Sequence, residues 1–136
     1  MEASSPARLY ATVVGAVLTI LGIIGFFYSG SFGSPGTVDD VFGIFAVNGW
    51  HNVLHLATGL LGLAAAGYAA RTYALAVGLL YLVVAIWGFI VGGGDSILSI
   101  IPVNAEDNVL HLILGLVGLA AGAASTAKPR ARRAAA

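Results

Sequence analysis

Histidine and carboxylate side chains recur at helical spacing in two stretches of the sequence. His51 and His55 are four residues apart, and Asp107 and His111 have the same spacing. Residues four apart on a helix lie on the same face. Imidazole and carboxylate ligands together suit zinc, copper, iron or nickel better than calcium. One hypothesis for these residues is therefore a transition-metal site that uses His51, His55, Asp107 and His111.

A haem iron is the second cofactor that these positions suggest. His55 and His111 occupy matching places in the two stretches, and two facing histidines between helices can ligate a haem axially. Gly59 and Gly115 each follow one helical turn later. If these glycines face each other, the two helices approach too closely for a porphyrin, so the haem hypothesis depends on where the glycines point.

The histidines also belong to a polar seam, which comprises Asn48, Asn52, His55, Asn104, Asn108 and His111. Within each stretch the members follow one another after four and then three residues, which is the periodicity of one helix face. Asn and His can hydrogen-bond across helices and fix their register, at about 1 kcal/mol or less per bond. Because no complete catalytic set accompanies the seam, the sequence favours a non-enzymatic structural or accessory component. A metal- or haem-binding redox subunit is the alternative.

The composition places these residues in a membrane protein. Of 136 residues, 59% are hydrophobic and 9% are charged, whereas about a quarter of a soluble domain is charged. Four apolar segments, each close to the ~20 residues that span a bilayer, cover about 9–28, 50–70, 73–91 and 108–124. The sequence contains no cysteine, which excludes disulfides and thiolate metal sites. The predicted fold class is all-α, a bundle of four transmembrane helices in one integral membrane domain over residues 1–136.

The two polar stretches are copies of one another. Residues 47–65 and 103–121 are identical at thirteen of nineteen positions. Because each copy contains two spans, both enter the membrane in the same sense, which predicts a parallel repeat of a helical hairpin at about 9–70 and 73–124. Small residues extend both stripes and predict close packing, either between the second and fourth spans or against the neighbouring spans. These residues are Gly59, Gly62, Gly115 and Gly118.

The two longer connections are expected to contain short helices at the membrane interface. Thr37 and Asp40 have the spacing of a capping box ahead of an apolar run, and Asp95 can begin a helix that stops at Pro102. Backbone near lipid must satisfy its own hydrogen bonds, which favours helical turns over open coil. We therefore predict one interfacial helix in each outer loop.

The distribution of charge predicts the orientation in the membrane. Arg8, Arg71 and four basic residues in the tail 125–136 supply all six positive charges, whereas five of the six acids lie in the two longer loops. Under the positive-inside rule, both termini of this multi-pass protein are cytoplasmic, and the bacterial plasma membrane is the location that the family resemblance described below implies. The expected partners are the lipid bilayer and a second copy or a larger membrane complex. The basic tail is interpreted as a topology signal, and no nucleic-acid partner is expected.

The repeated pattern resembles a known family. The motif N-x-x-x-N-V-L-H-L-x-x-G-x-x-G-L-A-A occurs at 48–65 and again at 104–121. It is similar to that of small four-helix membrane proteins of actinobacteria, labelled domain of unknown function 4383, and the likeness covers about residues 8–124. The resemblance implies a four-helix fold and a membrane location, and it implies no particular activity.

Overall fold

The computed structural model describes residues 5–126, in which four helices are joined by one tight turn and two small β-hairpins. The helices are α1 (Pro6–Tyr28), α2 (Gly49–Ala65), α3 (Ala70–Val91) and α4 (Ala105–Ala124). Antiparallel strands β1 (Asp39–Val41) and β2 (Phe45–Val47) connect α1 to α2, and β3 (Ser96–Ile97) and β4 (Ile101–Pro102) connect α3 to α4. The basic tail was predicted at residues 125–136, and its residues after Thr126 lie outside the described part.

Three of these helices, α1, α3 and α4, are long and apolar enough to cross a membrane. Helix α2 has 17 residues, about 26 Å at 1.5 Å per residue, and it ends at Ala65 rather than at the predicted residue 70. Residues 66–69 form a tight turn, in which the amides of Tyr68 and Ala69 both donate to the carbonyl of Ala65. The prediction overran because the turn has no charged residue to mark the end of the apolar run.

Polar side chains lie inside the protein, and large apolar side chains lie outside. Phe27 and Ile90 are 85% and 77% exposed, whereas Asn52 and His111 are 0% and 2% exposed. Soluble domains show the reverse distribution. Helices of this kind fit a lipid environment, because the bilayer solvates apolar side chains and excludes unpaired polar ones.

The helices pack in two close pairs, α1 with α2 and α3 with α4. Each pair, with the β-hairpin that joins its helices, forms one half of the described chain. A Cβ added to Gly15 would lie 3.0 Å from the carbonyl oxygen of Gly59, and one added to Gly78 would lie 3.1 Å from that of Gly115. The structure thus has the second of the two predicted packing arrangements, in which the glycine stripes face the neighbouring helix of the same half.

Two tyrosines pack between the halves. The ring centroids of Tyr10 and Tyr73 are 6.2 Å apart. Each hydroxyl donates to a backbone carbonyl of the opposite half, Tyr10 to Leu114 at 2.8 Å and Tyr73 to Thr58 at 2.9 Å. The predicted packing glycines that leave room for these rings are Gly62, against Tyr73, and Gly118, against Tyr10.

The prediction of short interfacial helices is wrong, because both longer connections form β-hairpins. The first turns at Phe42 and Gly43, with φ angles of 54° and 69°, and the second turns at Leu98 and Ser99, with φ angles of 53° and 60°. A right-handed helix does not accommodate two consecutive residues with positive φ. The carboxylate of Asp95 accepts a hydrogen bond from the next amide in an extended segment instead of capping a helix.

Candidate metal centre

Three buried histidines meet between the first two turns of α2 and the second turn of α4. One ring nitrogen from each of His51, His55 and His111 lies within 4.8 Å of the others. The ring centroids are 4.4 Å apart for His51 and His55, 5.7 Å for His51 and His111, and 6.2 Å for His55 and His111. Each side chain is at most 4% exposed. The imidazoles therefore connect α2 and α4 at this end of the helices.

Two capping asparagines hold the ends of α2 and α4 against each other. Asn48 and Asn104 are the N-cap residues, and the Oδ1 atom of each accepts from the amide three residues later, at 3.0 and 2.8 Å. The Nδ2 atom of Asn48 donates to the carbonyl of Ile100, and that of Asn104 donates to the carbonyl of Ile44, both at 2.6 Å. Each asparagine thus binds the β-hairpin of the other half, which fixes the relative position of the two helix ends.

The deeper asparagines of the seam act within each half. The Nδ2 atom of Asn52 donates to the carbonyl of Ser29 at 2.7 Å, where α1 ends. A Cβ added to Gly25 would collide with Oδ1 of Asn52, and a Cβ added to Gly88 would collide with Oδ1 of Asn108. Glycine is required at both places because the amide fills the space that a side chain would occupy. These contacts join α1 to α2 and α3 to α4.

The backbone of Ala46 orients both His51 and Asp107. Nδ1 of His51 donates to the Ala46 carbonyl at 2.8 Å, because a carbonyl can only accept. This hydrogen bond places the hydrogen of a neutral ring on Nδ1 and the lone pair on Nε2, as in histidines that bind metals, and the ring also lies beside the backbone carbonyl of Pro102. Oδ2 of Asp107 accepts from the amides of Ala46, at 3.0 Å, and Asn104, at 3.1 Å.

Several buried polar atoms of the site have no hydrogen-bond partner. They are both ring nitrogens of His55, both ring nitrogens of His111, Oδ1 of Asp107 and, in the deeper asparagines of the seam, Oδ1 of Asn52 and of Asn108. An unpaired buried polar group costs about 1–3 kcal/mol, so such a concentration is unusual. Within residues 5–126 the two basic residues lie far from Asp107, since Arg8 starts α1 and Arg71 binds the carbonyls at the end of α4. No lysine or arginine within residues 5–126 therefore pairs with Asp107.

Tyr81 borders the cluster and was not among the predicted site residues. Its ring centroid is 5.2 Å from that of His111, and its hydroxyl is 3.2 Å from Oγ1 of Thr58. Tyr81 is 5% exposed. A tyrosine in the middle of an apolar helix was the available signal, because a polar group at that depth must face a partner.

A metal ion with imidazole ligands fits this arrangement after small side-chain rotations. Zinc–nitrogen bonds of 2.0–2.1 Å place two ligand nitrogens about 3.4 Å apart in a tetrahedral site. The three nitrogens lie within 4.8 Å of one another, so they need to approach by about 1 Å. The oxygens of Asp107 lie outside this close group of ligand atoms. Of the four predicted ligands, the three histidines come together, and Asp107 is joined to them through Ala46.

A haem held by His55 and His111 does not fit. With centroid separations of 4.4, 5.7 and 6.2 Å, the ring of His51 lies roughly 4 Å from the midpoint between the other two rings, close to the plane that bisects them. A porphyrin extends roughly 5 Å from its iron in that plane, so it would overlap His51. The glycines are not the obstacle to a haem, because they do not face each other. Gly59 faces α1, and Gly115 faces α3.

The comparison with known families accounts for almost the whole described chain. The model of a family described as Domain of unknown function (DUF4383) matches residues 8–124. The chain belongs to this family. No curated protein and no solved structure matches it. The predicted resemblance to DUF4383 is therefore confirmed.

The candidate centre belongs to the DUF4383 unit itself. All three histidines and Asp107 lie within the matched residues, as do both β-hairpins and the glycines at which the helices approach each other. The described structure has four helices, three of membrane-spanning length and composition, and a buried histidine cluster where two of them begin. This member of the DUF4383 family is thus an apolar helical protein with buried polar side chains.

Proposed function

We propose that this DUF4383 protein is an integral membrane protein that binds one transition-metal ion at His51, His55 and His111. The observation that carries the proposal is the set of four imidazole nitrogens, on His55 and His111, that are buried without partners. A metal ion would take up the lone pair of one ring nitrogen on each of these two histidines and remove the cost of burying those two atoms without partners. Asp107 supports the same conclusion, because a buried carboxylate needs a positive charge nearby.

Under this proposal, the asparagines and the histidines of the polar seam have different functions. Asn48, Asn52 and Asn104 make hydrogen bonds between and within the halves, as a structural seam requires, although Oδ1 of Asn52 and of Asn108 is buried without a partner. The histidines at positions 55 and 111 make none. The sequence favours a structural role for the whole seam, and the hydrogen bonds support that role for Asn48, Asn52 and Asn104.

The donor set favours zinc or copper. Three neutral imidazoles leave the charge of the ion uncompensated, and Asp107 supplies one negative charge close by. Three histidine ligands leave a fourth position open for water or substrate, as in catalytic zinc sites. A bound ion there would act as a Lewis acid or, if copper, would exchange single electrons.

The surrounding architecture is proposed to be a bundle of four spans made by duplication of a helical hairpin. Helix α2 is about 26 Å long, close to the ~30 Å hydrocarbon core, and its partners α1, α3 and α4 are long enough to span it. Matching contacts in the two halves support the duplication, among them Gly25 with Asn52 and Gly88 with Asn108. The positions of Arg8 and Arg71 support cytoplasmic termini and an outer location for the β-hairpins in a bacterial plasma membrane.

Elemental analysis of the full-length chain tests the proposal. The protein is purified without an affinity tag that binds metals, loaded with zinc or copper in lipid nanodiscs, and passed through a desalting column. We expect one ion per chain in the wild type and none in the variant with His55→Leu and His111→Leu. Asn52→Gln is the control that alters the seam without touching a ligand. Equal metal content in all three proteins would refute the centre.

A structural or accessory role in a larger membrane assembly is the second candidate function. The crossed bonds of Asn48 and Asn104 favour it, because they stabilise the fold without any ligand. Cross-linking in native membranes, followed by mass measurement, tests it. A cross-linked complex or homo-oligomer that forms equally well without metal supports this role.

A further inference from the structure

We propose that Asp40 and Glu106 form the entrance through which a hydrated metal cation reaches the histidine centre, with Asp107 as the first internal group that it contacts. The inference rests on the proposed metal site and adds its route of loading. It concerns the end of the helices that carries the β-hairpins, which we call the hairpin end.

Three carboxylates form a sequence from the surface to the interior at one edge of the hairpin end. Asp40 lies directly across the first β-hairpin from Ala46, and the Ala46 amide donates to Asp107. Glu106 directly precedes Asp107 in the first turn of α4. Asp40 and Glu106 are exposed, whereas Asp107 is 1% exposed. His111 follows Asp107 by one turn of α4, and it is also buried.

The capping role of Asp107 accounts for only one of its oxygens. Oδ2 accepts the amides of Asn104 and Ala46, which completes the capping box of α4. Oδ1 is buried and has no partner. Helix capping alone would be served by an exposed carboxylate, as Glu106 in the same turn provides. A buried, unpartnered carboxylate oxygen, on a residue that follows an exposed acid and precedes His111 by one helical turn, is suited to contact a passing cation.

The charge of the two exposed acids sets the expected size of the effect. At roughly 8 Å in water, one carboxylate raises the local concentration of a divalent cation about sixfold before screening by salt. Removal of both charges is therefore expected to slow association by about tenfold at 0.01 M salt and by about threefold at 0.15 M salt. The dissociation rate is expected to stay unchanged, because neither side chain belongs to the three-histidine cluster.

Stopped-flow binding of cobalt(II) to the full-length chain in nanodiscs measures this effect. Cobalt(II) with imidazole ligands absorbs visible light, so its arrival at the histidines is observed directly. The test variant carries Asp40→Asn and Glu106→Gln. The control variant carries Asp39→Asn and Asp95→Asn, which remove the same total charge. Each of these two carboxylates accepts a hydrogen bond from the next amide in the chain.

The result expected is slower association in the test variant, a smaller difference at high salt, and wild-type association in the control. Equal association rates for the test variant and the wild type at low salt would overturn the entrance. An equal loss in the control would also overturn it, because the effect would then come from total surface charge. If cobalt(II), zinc and copper all fail to bind the wild type, the metal site itself is refuted, which is a different outcome from a site that loads at an unchanged rate.

Discussion

The substitution His55→Leu distinguishes a metal ligand from a structural residue, because it removes the imidazole and keeps a side chain of comparable size. In the metal-free protein both ring nitrogens of His55 are buried without partners. Each such group costs about 1–3 kcal/mol, whereas a hydrophobic replacement of similar volume usually costs less than about 1.5 kcal/mol. We therefore expect metal-free His55→Leu to be at least as stable as the wild type, with a gain of about 1–3 kcal/mol.

The matched substitution Asn52→Leu, one turn earlier in the seam, is expected to have the opposite effect. It removes the hydrogen bond of 2.7 Å to the carbonyl of Ser29 and leaves that carbonyl without its partner. The branched side chain would also press on Gly25, where no additional atom fits. The substitution also removes the buried, unpartnered Oδ1 of Asn52, which offsets part of the loss, so the net cost is expected to be about 1–2 kcal/mol.

Equilibrium unfolding in detergent, followed by circular dichroism, measures both effects with chelator and then with zinc. At a hundredfold excess over the dissociation constant, zinc should stabilise the wild type by about 2.7 kcal/mol and His55→Leu by nothing. If metal-free His55→Leu lost as much stability as Asn52→Leu, His55 would be a structural member of the seam. Full stabilisation of His55→Leu by zinc would remove this residue from the metal centre.

Three other substitutions test separate contacts. Asp107→Asn should weaken zinc binding by roughly 10–100-fold in a competition titration with a coloured chelator, because it removes a charge that compensates the ion, and an unchanged affinity would contradict this. Gly88→Ala should lower the unfolding free energy by about 2 kcal/mol or more through collision with Asn108, whereas Gly93→Ala, which meets no atom within 4 Å, should be neutral. Leu98→Gly should raise the unfolding free energy by about 1 kcal/mol, because Leu98 has a φ of 53° and is 63% exposed, and a loss would show that its side chain makes a needed contact.

The apolar helices were predictable, and the connections were not. The predicted segments 9–28 and 73–91 end where α1 and α3 end, at Tyr28 and Val91, and begin within three residues of them. An apolar run of about 20 residues has essentially one conformation in lipid, the helix, so its composition suffices. The β-hairpins depend instead on positive φ angles at Leu98 and Ser99, residue types that give no sign of such a conformation.

The candidate ligands could be named from the sequence, but their arrangement could not. Helical spacing places His51 with His55, and the repeat makes His111 the counterpart of His55. Their meeting depends on the backbone carbonyls of Ile44 and Ile100, to which the capping asparagines of the other half donate. Every residue has a carbonyl, so no residue type announces this contact. The part played by Ala46 was invisible for the same reason.

One difference between the two sequence copies follows from the backbone opposite it. His51 and Asp107 occupy matching positions, and so do Ala46 and Pro102. Asp107 accepts the amide of Ala46, whereas His51 lies beside the backbone carbonyl of Pro102, which has no amide hydrogen to offer a carboxylate. A carboxylate at position 107 therefore has the amide of Ala46 as a donor, whereas one at position 51 would have no donor on Pro102.

The exchange His51→Asp with Asp107→His tests this reasoning at constant composition. The carboxylate at position 51 would lose its donor, and the Ala46 amide would lose its acceptor, so the unfolding free energy should fall by about 2–4 kcal/mol. Adding Pro102→Ala to the exchange supplies an amide hydrogen opposite position 51 and should restore part of the loss. Pro102→Ala alone increases the conformational entropy of the unfolded chain, so it should not stabilise the wild type. An exchanged protein as stable as the wild type, or one that Pro102→Ala fails to rescue, would show that the backbone donors do not decide which copy carries the carboxylate.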